Sequence, residues 1–295
     1  MIIGKSVSKQ VIFSFLTFLC VSLSISGSAS PLDIINHFSI TDGKQIQTSQ
    51  MVMRFVASGS PQYYFWRNTG GVGTTISVPA SEPLDSDKGK GFVKLQAIFE
   101  FDDKDDDGIY DSNTESPGAN TNVNFASEKW NIGTVTTETL SNDVSGAHFD
   151  YNLIGSPSFM VKNHFYSNSS SILKIDFILA NYAFSANSSG IKFAMKILLP
   201  TEVSAGEIGR YNFASGFFSF TSQAQGSAGL INVTSHLDGN TLYLIYANFG
   251  SSLKHDPIIG LAGGSSPIEA VPILMGLVFV GAVAMINKRR NIRGI

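Results

Sequence analysis

Hydrophobic and polar residues alternate with a period of two in three long segments, residues 92–101, 173–179 and 191–199. This period is typical of a β-strand with one buried face, because successive side chains point to opposite sides of a sheet. In the first segment the set expected to face the core is Val93, Leu95, Ala97, Phe99 and Phe101, and the set expected to face water is Lys94, Gln96 and Glu100. In the other two, the inward sets are Leu173, Ile175, Phe177, Leu179 and Ile191, Phe193, Met195, Ile197, Leu199.

Shorter segments of the same character predict further strands at residues 50–57, 62–67, 130–137, 148–154 and 211–220. The apolar runs 230–236 and 241–247 flank Asp238, Gly239 and Asn240, a link typical of a β-hairpin. Between the two chain ends no segment keeps the 3.6-residue period of a helix. The pattern therefore predicts an all-β fold, an antiparallel β-sandwich that is either one large sandwich or two packed ones.

Both chain ends are apolar, and this predicts export. Residues 11–25 form an apolar run behind Lys5 and Lys9, and small residues follow it, as in a secretory signal peptide. Residues 270–286 form a second apolar run, followed directly by a basic cluster that would stay on the cytoplasmic side. The expected order is a signal peptide at 1–30, an ectodomain at 31–262, a linker at 263–269, a transmembrane helix at 270–287 and a cytoplasmic tail at 288–295. The expected location is the cell surface, with a single membrane pass and the ectodomain outside.

Composition narrows the class of protein. Charged residues make up only 15% of the chain and aromatic residues 11%, which indicates a packed globular domain. A net charge of -3 without a basic stripe in the ectodomain argues against nucleic acid as a partner. The single cysteine, Cys20, lies in the expected signal peptide, so the mature domain would depend for stability on its core, on a metal or on glycans.

One acidic segment has the spacing of a calcium loop. Asp103, Asp105 and Asp107 alternate before Gly108, as in D-x-D-x-D-G, where carboxylates bind the cation and the glycine allows a sharp turn. The expected ligands of a structural Ca²⁺ ion are Asp103, Asp105, Asp107, the Ile109 carbonyl, Asp111 and Glu115. The closing carboxylate arrives one residue late, since Thr114 holds the usual position. The alternative is a solvated acidic turn without a cation.

Other features of the sequence give weaker indications of a functional site. The five histidines, His37, His148, His164, His236 and His255, lack the spacing of a zinc site, and no G-x-S-x-G motif is present. The aromatic run 63–66 either stacks on sugar rings or contributes to the core. Sequons at Asn168, Asn187 and Asn232 are candidate glycosylation sites on an exported chain.

Several segments together resemble a known group of proteins. These are residues 98–111, 216–220, 238–244 and 254–260. They are similar to segments of uncharacterised exported archaeal surface proteins, which pair a β-sandwich ectodomain with a C-terminal hydrophobic anchor. Residues 266–272 stand where CTERM-type sorting signals carry their short motif, but the sequence there is neither of the usual forms. The resemblance implies a surface location and implies no activity.

These observations favour a membrane-anchored surface protein that is not an enzyme. Its role would be structural, adhesive or ligand-binding at the cell envelope, with another envelope protein or a glycan as the partner and the membrane bound through the C-terminal helix. The alternative is an extracellular carbohydrate-active hydrolase, which would need two carboxylates flanking a cleft away from the acidic loop.

Overall fold

The computed structural model describes residues 34–40, 42–68, 91–118, 121–139, 145–155, 157–166, 171–186 and 190–263. The expected signal peptide, transmembrane helix and cytoplasmic tail lie outside these residues, and so does almost all of the expected linker. In the part of the chain that is described, no helix is both long and apolar enough to cross a membrane.

The described residues form strands joined by turns, with one 3-10 helix at Phe125–Ser127. In chain order the strands are β1 (Ile34–Ile40), β2 (Gly43–Thr48), β3 (Met51–Val56), β4 (Gln62–Arg67), β5 (Gly91–Asp102), β6 (Val123–Asn124), β7 (Trp130–Ile132), β8 (Thr136–Thr139), β9 (Ser145–Leu153), β10 (Ser158–Tyr166), β11 (Ile172–Ala180), β12 (Ile191–Leu198), β13 (Ser204–Ala205), β14 (Arg210–Phe213), β15 (Gly216–Ser219), β16 (Gln223–Gly226), β17 (Gly229–Asp238), β18 (Thr241–Tyr246), β19 (Leu253–His255) and β20 (Ile258–Leu261). The predicted all-β class is confirmed.

The strands form two layers, and all pairings between the described strands are antiparallel. The first layer has the order β1-β2-β3-β4-β5-β12-β18-β17, with β6 paired to the second half of β5. In the second layer β7 and β8 pair with β9, which leads through β10 and β11 to β19 and β20. This layer continues from β20 through β15 and β14 to β13, while β16 pairs with β19. Strand β17 joins the layers, since it pairs with β16 at one end and with β18 at the other.

A continuous apolar core contains side chains from both layers. The predicted inward residues of β11 are all buried, and so are those of β12 from Phe193 onward. The predicted hairpin is β17–β18, whose two-residue turn, Gly239 and Asn240, places Gly239 at φ +59°. The segment predicted at 211–220 is two strands rather than one, because a turn at residues 214–215 separates β14 from β15.

The predicted faces of β5 are wrong beyond Leu95. Opposite β12 the register moves from Ile197↔Leu95 to Lys196↔Ala97, so Gln96 is an extra residue in a β-bulge. A bulge reverses the alternation that follows it. Ile98 therefore joins the core between the layers, whereas Ala97, Phe99 and Phe101 form a separate cluster.

Glu100, expected in water, is buried for the same reason. Its carboxylate accepts hydrogen bonds from the Tyr182 hydroxyl at 2.8 Å, from the Ser185 amide at 3.1 Å and from the Ser185 hydroxyl. A buried carboxylate requires such donors, because desolvation of an unpaired charge is costly. The alternation of apolar residues contained no sign of this reversal, since Phe99 and Phe101 suit either phase.

Candidate metal centre

The acidic loop begins where β5 ends and is fastened at several points. The Asp103 amide donates to the Gly190 carbonyl at 2.9 Å, and the Gly118 amide donates to the Glu100 carbonyl at 2.7 Å. Two residues take left-handed backbone conformations, Asp106 at φ +57° and Gly108 at φ +74°. Aspartate and glycine tolerate this region better than most residues, so the sequence suits the sharp turns that the loop makes.

Three of the predicted ligands converge. One carboxylate oxygen from each of Asp103, Asp105 and Glu115 lies within 4.8 Å of the others. Calcium–oxygen distances are about 2.3–2.6 Å, so oxygens bound to one ion are at most roughly 5 Å apart. Asp103 and Glu115 are buried and Asp105 is exposed, so the group lies at the protein surface with one side open to solvent.

Backbone amides orient two of these carboxylates. The two oxygens of Glu115 accept hydrogen bonds from the Lys104 amide at 3.0 Å and the Asp111 amide at 2.9 Å. Oδ2 of Asp103 accepts one from the Gly108 amide at 3.0 Å. Carboxylate oxygens have more than one lone pair, so each remains able to bind a cation while the loop holds its position.

Asp103 is the most informative member of the group. Its side chain is 0% exposed, and its Oδ1 has no hydrogen-bond partner among the described residues. The nearest cation is Lys192 Nζ, 3.8 Å from the other oxygen, Oδ2. A buried oxygen without a partner is costly, and a metal ion between the three carboxylates would satisfy it.

The carboxylates of Asp107 and Asp111, also predicted as ligands, are not in this group. Oδ1 of Asp107 accepts a hydrogen bond from the Ile109 amide at 2.7 Å. Oδ1 of Asp111 accepts two from Asn113, at 2.8 Å from the amide and 3.0 Å from Nδ2. The bond from the Asn113 amide is the main reason that the pKa of Asp111 is below its ordinary value. Asp107 and Asp111 thus shape the loop, while Glu115, one residue late in the motif, lies beside Asp103 and Asp105.

Tyr110 packs the acidic loop onto the outer surface of the first layer. Its ring centroid lies 4.9 Å from that of Phe99, 5.1 Å from that of Phe101 and 5.0 Å from that of Tyr243. From β17, Thr234 Oγ1 donates to the Gly108 carbonyl at 3.0 Å. The bulge at Gln96 makes this possible, because it turns Phe99 and Phe101 outward beneath the loop.

A second charged cluster lies on the outer face of the second layer. Asp176 faces His164 Nε2 at 3.4 Å, Lys174 Nζ at 3.1 Å and Lys254 Nζ at 3.3 Å. Burial would raise the pKa of Asp176, but the hydrogen bond with His164 and the two lysines outweigh burial and hold that pKa well below its ordinary value. No pattern in the sequence indicated this cluster, since its residues lie far apart along the chain and meet only through strand register.

Two minor candidates have clear outcomes. In the aromatic run of β4, Tyr63 and Phe65 belong to the core and Tyr64 is also buried, so these three rings do not form an open sugar platform. Among the sequons, Asn232 is exposed on β17, whereas Asn168 and Asn187 lie outside the described residues.

Comparison with known proteins identifies no family. No protein-family model matches the chain, and no curated protein matches it. Among solved structures it is similar to one titled "Crystal Structure of Heparinase III", at 11% identity and a TM-score of 0.33. That match covers 77% of this chain and 38% of the other. A likeness at this level carries no argument about fold or function.

Proposed function

We propose that the chain is a calcium-stabilised β-sandwich domain with a structural, adhesive or ligand-binding role at the cell envelope. The observation that carries the calcium site is the convergence of Asp103, Asp105 and Glu115. It is supported by Oδ1 of Asp103, which is buried and has no hydrogen-bond partner among the described residues. The surface location is supported by the apolar segments expected at the two chain ends.

The donor set favours a hard cation of calcium's size. All three side chains are carboxylates, and hard cations prefer oxygen ligands. Calcium accepts six to eight ligands in flexible geometry, so three carboxylates on a surface loop leave positions for backbone oxygens and water. Magnesium requires near-ideal octahedral geometry and gives up its water reluctantly, which suits this half-open loop less well.

Repulsion among the three carboxylates also favours a bound cation. Like charges this close repel one another, and the repulsion is largest where water is excluded. Lys192, 3.8 Å from Asp103, offsets only part of this charge. A bound Ca²⁺ would convert a repulsive cluster into a point that fastens residues 103 and 115, which are the two ends of the loop. Its role would therefore be structural.

The hydrolase alternative needs two carboxylates that flank a cleft. Asp176 and Asp256 both lie in the charged cluster of the second layer, where Lys174 and Lys254 contact each of them. No observation on the described residues favours the hydrolase over a binding domain, and it stays a hypothesis.

Thermal unfolding of the purified full chain, in calcium and in chelator, tests the proposal. Calcium at about 100 times its dissociation constant adds roughly 2.7 kcal/mol. For a domain of this size the melting temperature should rise by roughly 5–10 °C. Asp105→Asn removes an exposed ligand and should abolish most of this rise. Equal melting temperatures in calcium and chelator would overturn the calcium site.

Asp106→Asn is the matched control. Asp106 is exposed, lies in the same loop and is outside the converging group. Asparagine tolerates its left-handed backbone conformation, at φ +57°. This variant loses the same charge and should keep the calcium-dependent rise. Equal losses in both variants would indicate general charge attraction and not a site.

A further inference from the structure

A groove of about 370 Å³ lies on the outer face of the first layer, beside the acidic loop. Its floor consists of residues from β5, β12 and β18, including Lys196, which pairs with Ala97 on one side and with Tyr243 on the other. Tyr110 and Ser112 of the acidic loop contribute to its lining, and so do Pro117, Asn122, Asn124 and Ala126. Sites for small ligands typically have volumes of about 300–1,000 Å³, so the groove is large enough for one.

The charged residues among those described in the groove lining are all positive. Two lysines, Lys94 and Lys196, contribute to the lining, and none of its described lining residues is acidic. Neither lysine forms an ion pair within the described part of the chain, and Lys196 Nζ instead lies 5.9 Å from the Tyr243 ring centroid. The whole chain has a net charge of -3, so a groove whose described lining carries two lysines and no carboxylate favours a negatively charged ligand.

Uncharged polar groups outnumber the lysines. Oε1 of Gln96 is buried and has no hydrogen-bond partner among the described residues. Asn122 and Ser112 are exposed, and their side chains make no hydrogen bond within the same set of residues. Buried acceptors are usually paired, so the Gln96 oxygen indicates a ligand that brings hydroxyl or amine donors. Phosphate alone carries few donors, whereas a saccharide carries several.

We propose that this groove binds an acidic saccharide, with its carboxylates at Lys94 and Lys196 and its hydroxyls at Gln96, Asn122 and Ser112. The inference names the ligand for the binding role proposed above and rests on that role. The bulge is the structural reason for the site, because it places Gln96 and Ala97 side by side on the outer face.

Isothermal titration of the full chain, in calcium, tests the inference. The probes are short oligomers of galacturonate, glucuronate and mannuronate, with the corresponding neutral hexose oligomers and inorganic phosphate as comparisons. At least one uronate oligomer should bind, and its affinity should fall as salt rises. The neutral oligomers should bind at least 10-fold more weakly. Failure of all three uronate oligomers to bind overturns the inference, and so does phosphate binding as tight as theirs.

Variants localise the binding. The double substitution Lys94→Gln and Lys196→Gln should lower uronate affinity at least 10-fold. Lys162→Gln is a control for the loss of a lysine outside the groove, because Lys162 lies on the outer face of the opposite layer, in β10. Equal affinity in the double variant and the control overturns the site, provided that both melt as the parent chain does.

The same titration separates the two proposals. Asp105→Asn should lose the calcium-dependent rise in melting temperature and keep uronate binding in chelator, since Asp105 does not line the groove. In the parent chain, uronate binding without any calcium-dependent rise in melting temperature would overturn the metal site alone. A calcium-dependent rise without uronate binding would overturn the groove alone.

Discussion

The hydroxyl oxygens of Tyr63 and Tyr151 lie 2.6 Å apart in the core, and they connect the two layers. Tyr63 belongs to β4 and Tyr151 to β9. Tyr63 donates to Asn163 Oδ1 at 2.8 Å, so Tyr151 must donate to Tyr63. Burial raises the pKa of both phenols, which stay protonated at all ordinary pH values. The result is a polar chain of fixed direction inside an apolar core.

The direction of this chain predicts unequal effects of two substitutions. Tyr63→Phe leaves both the Tyr151 hydroxyl and Asn163 Oδ1 without this partner, and should cost roughly 1–3 kcal/mol. Tyr151→Phe removes only a donor to Tyr63, and should cost about 1 kcal/mol. Urea unfolding of the two variants and the parent chain measures both costs. A larger loss for Tyr151→Phe would contradict the assigned direction.

His255 should make stability depend on pH between about 6.5 and 4. Burial lowers its pKa to about 4, and Nε2 donates to the Thr221 carbonyl at 3.0 Å while Nδ1 accepts from Tyr246 at 2.9 Å. The folded state therefore takes up this proton at a lower pH than the unfolded state does. Stability is fully present above pH 6.5 and falls by about 3 kcal/mol as the pH drops to 4.

Urea unfolding at a series of pH values from 7.5 to 4 measures this loss. His255→Gln keeps a side chain that can both donate and accept but cannot take up the proton. It should flatten the pH dependence in this window, at some cost in stability at pH 7. An unchanged slope in the variant would show that another group is responsible.

Asp176 should make stability depend on pH in a second, more acidic range. The folded pKa of this carboxyl is depressed, so its stabilisation is present above its ordinary pKa and is lost as the pH falls below about 4. Asp176→Asn leaves Lys174 and Lys254 without this partner. Breaking a fully buried pair costs about 3–5 kcal/mol, and an exposed pair contributes less than about 1. Because the lysines are partly exposed, we expect roughly 1–3 kcal/mol at pH 7.

Asp150→Asn is the control for this substitution. Asp150 lies on β9, within the same layer, and makes no ion pair with any described residue. It should change stability by less than about 0.5 kcal/mol. Thermal unfolding of both variants and the parent chain at pH 7 and at pH 3.5 tests this role. Only Asp176→Asn should reduce the loss of stability between the two pH values.

Tyr110 should link the fold of the acidic loop to its affinity for calcium. Its ring covers Phe99, Phe101 and Tyr243, so Tyr110→Ala exposes an apolar cluster and should cost about 3 kcal/mol. The loop would also lose its contact with the layer, and calcium should bind at least 10-fold more weakly. Tyr110→Phe keeps the ring and should bind calcium as the parent chain does. Titration with calcium, checked by thermal unfolding, compares the two.

Periodicity predicted most of this fold. The strands around Leu173–Leu179 and Phe193–Leu199 are amphipathic over their whole length, so a single rule assigned their faces correctly. In β5 the rule failed at Gln96, because the bulge there depends on pairing with β12, which the alternation of residues does not encode. Strand β10 had no prediction, although its alternate residues are buried from Phe159 to Phe165.

The candidate site, like the fold, was predicted only in part. The D-x-D-x-D-G spacing placed Asp103 and Asp105 in one loop, and the structure brings their oxygens together with that of Glu115. Spacing could not distinguish these carboxylates from Asp107 and Asp111, which accept hydrogen bonds from nearby backbone amides. The cluster around Asp176 and the groove beside Tyr110 depend on register between strands, which no local motif encodes.

The bulge at Gln96 also affects how relatives of this protein would be recognised. It adds one residue to β5 without adding a position to the ladder with β12. A homologue with the same fold and no bulge would match the first half of β5 in one alignment frame and the second half in another. The required one-residue gap would fall inside a strand, where insertions are least expected. Sequence similarity across residues 91–102 would therefore be lower than the structural similarity of the two proteins.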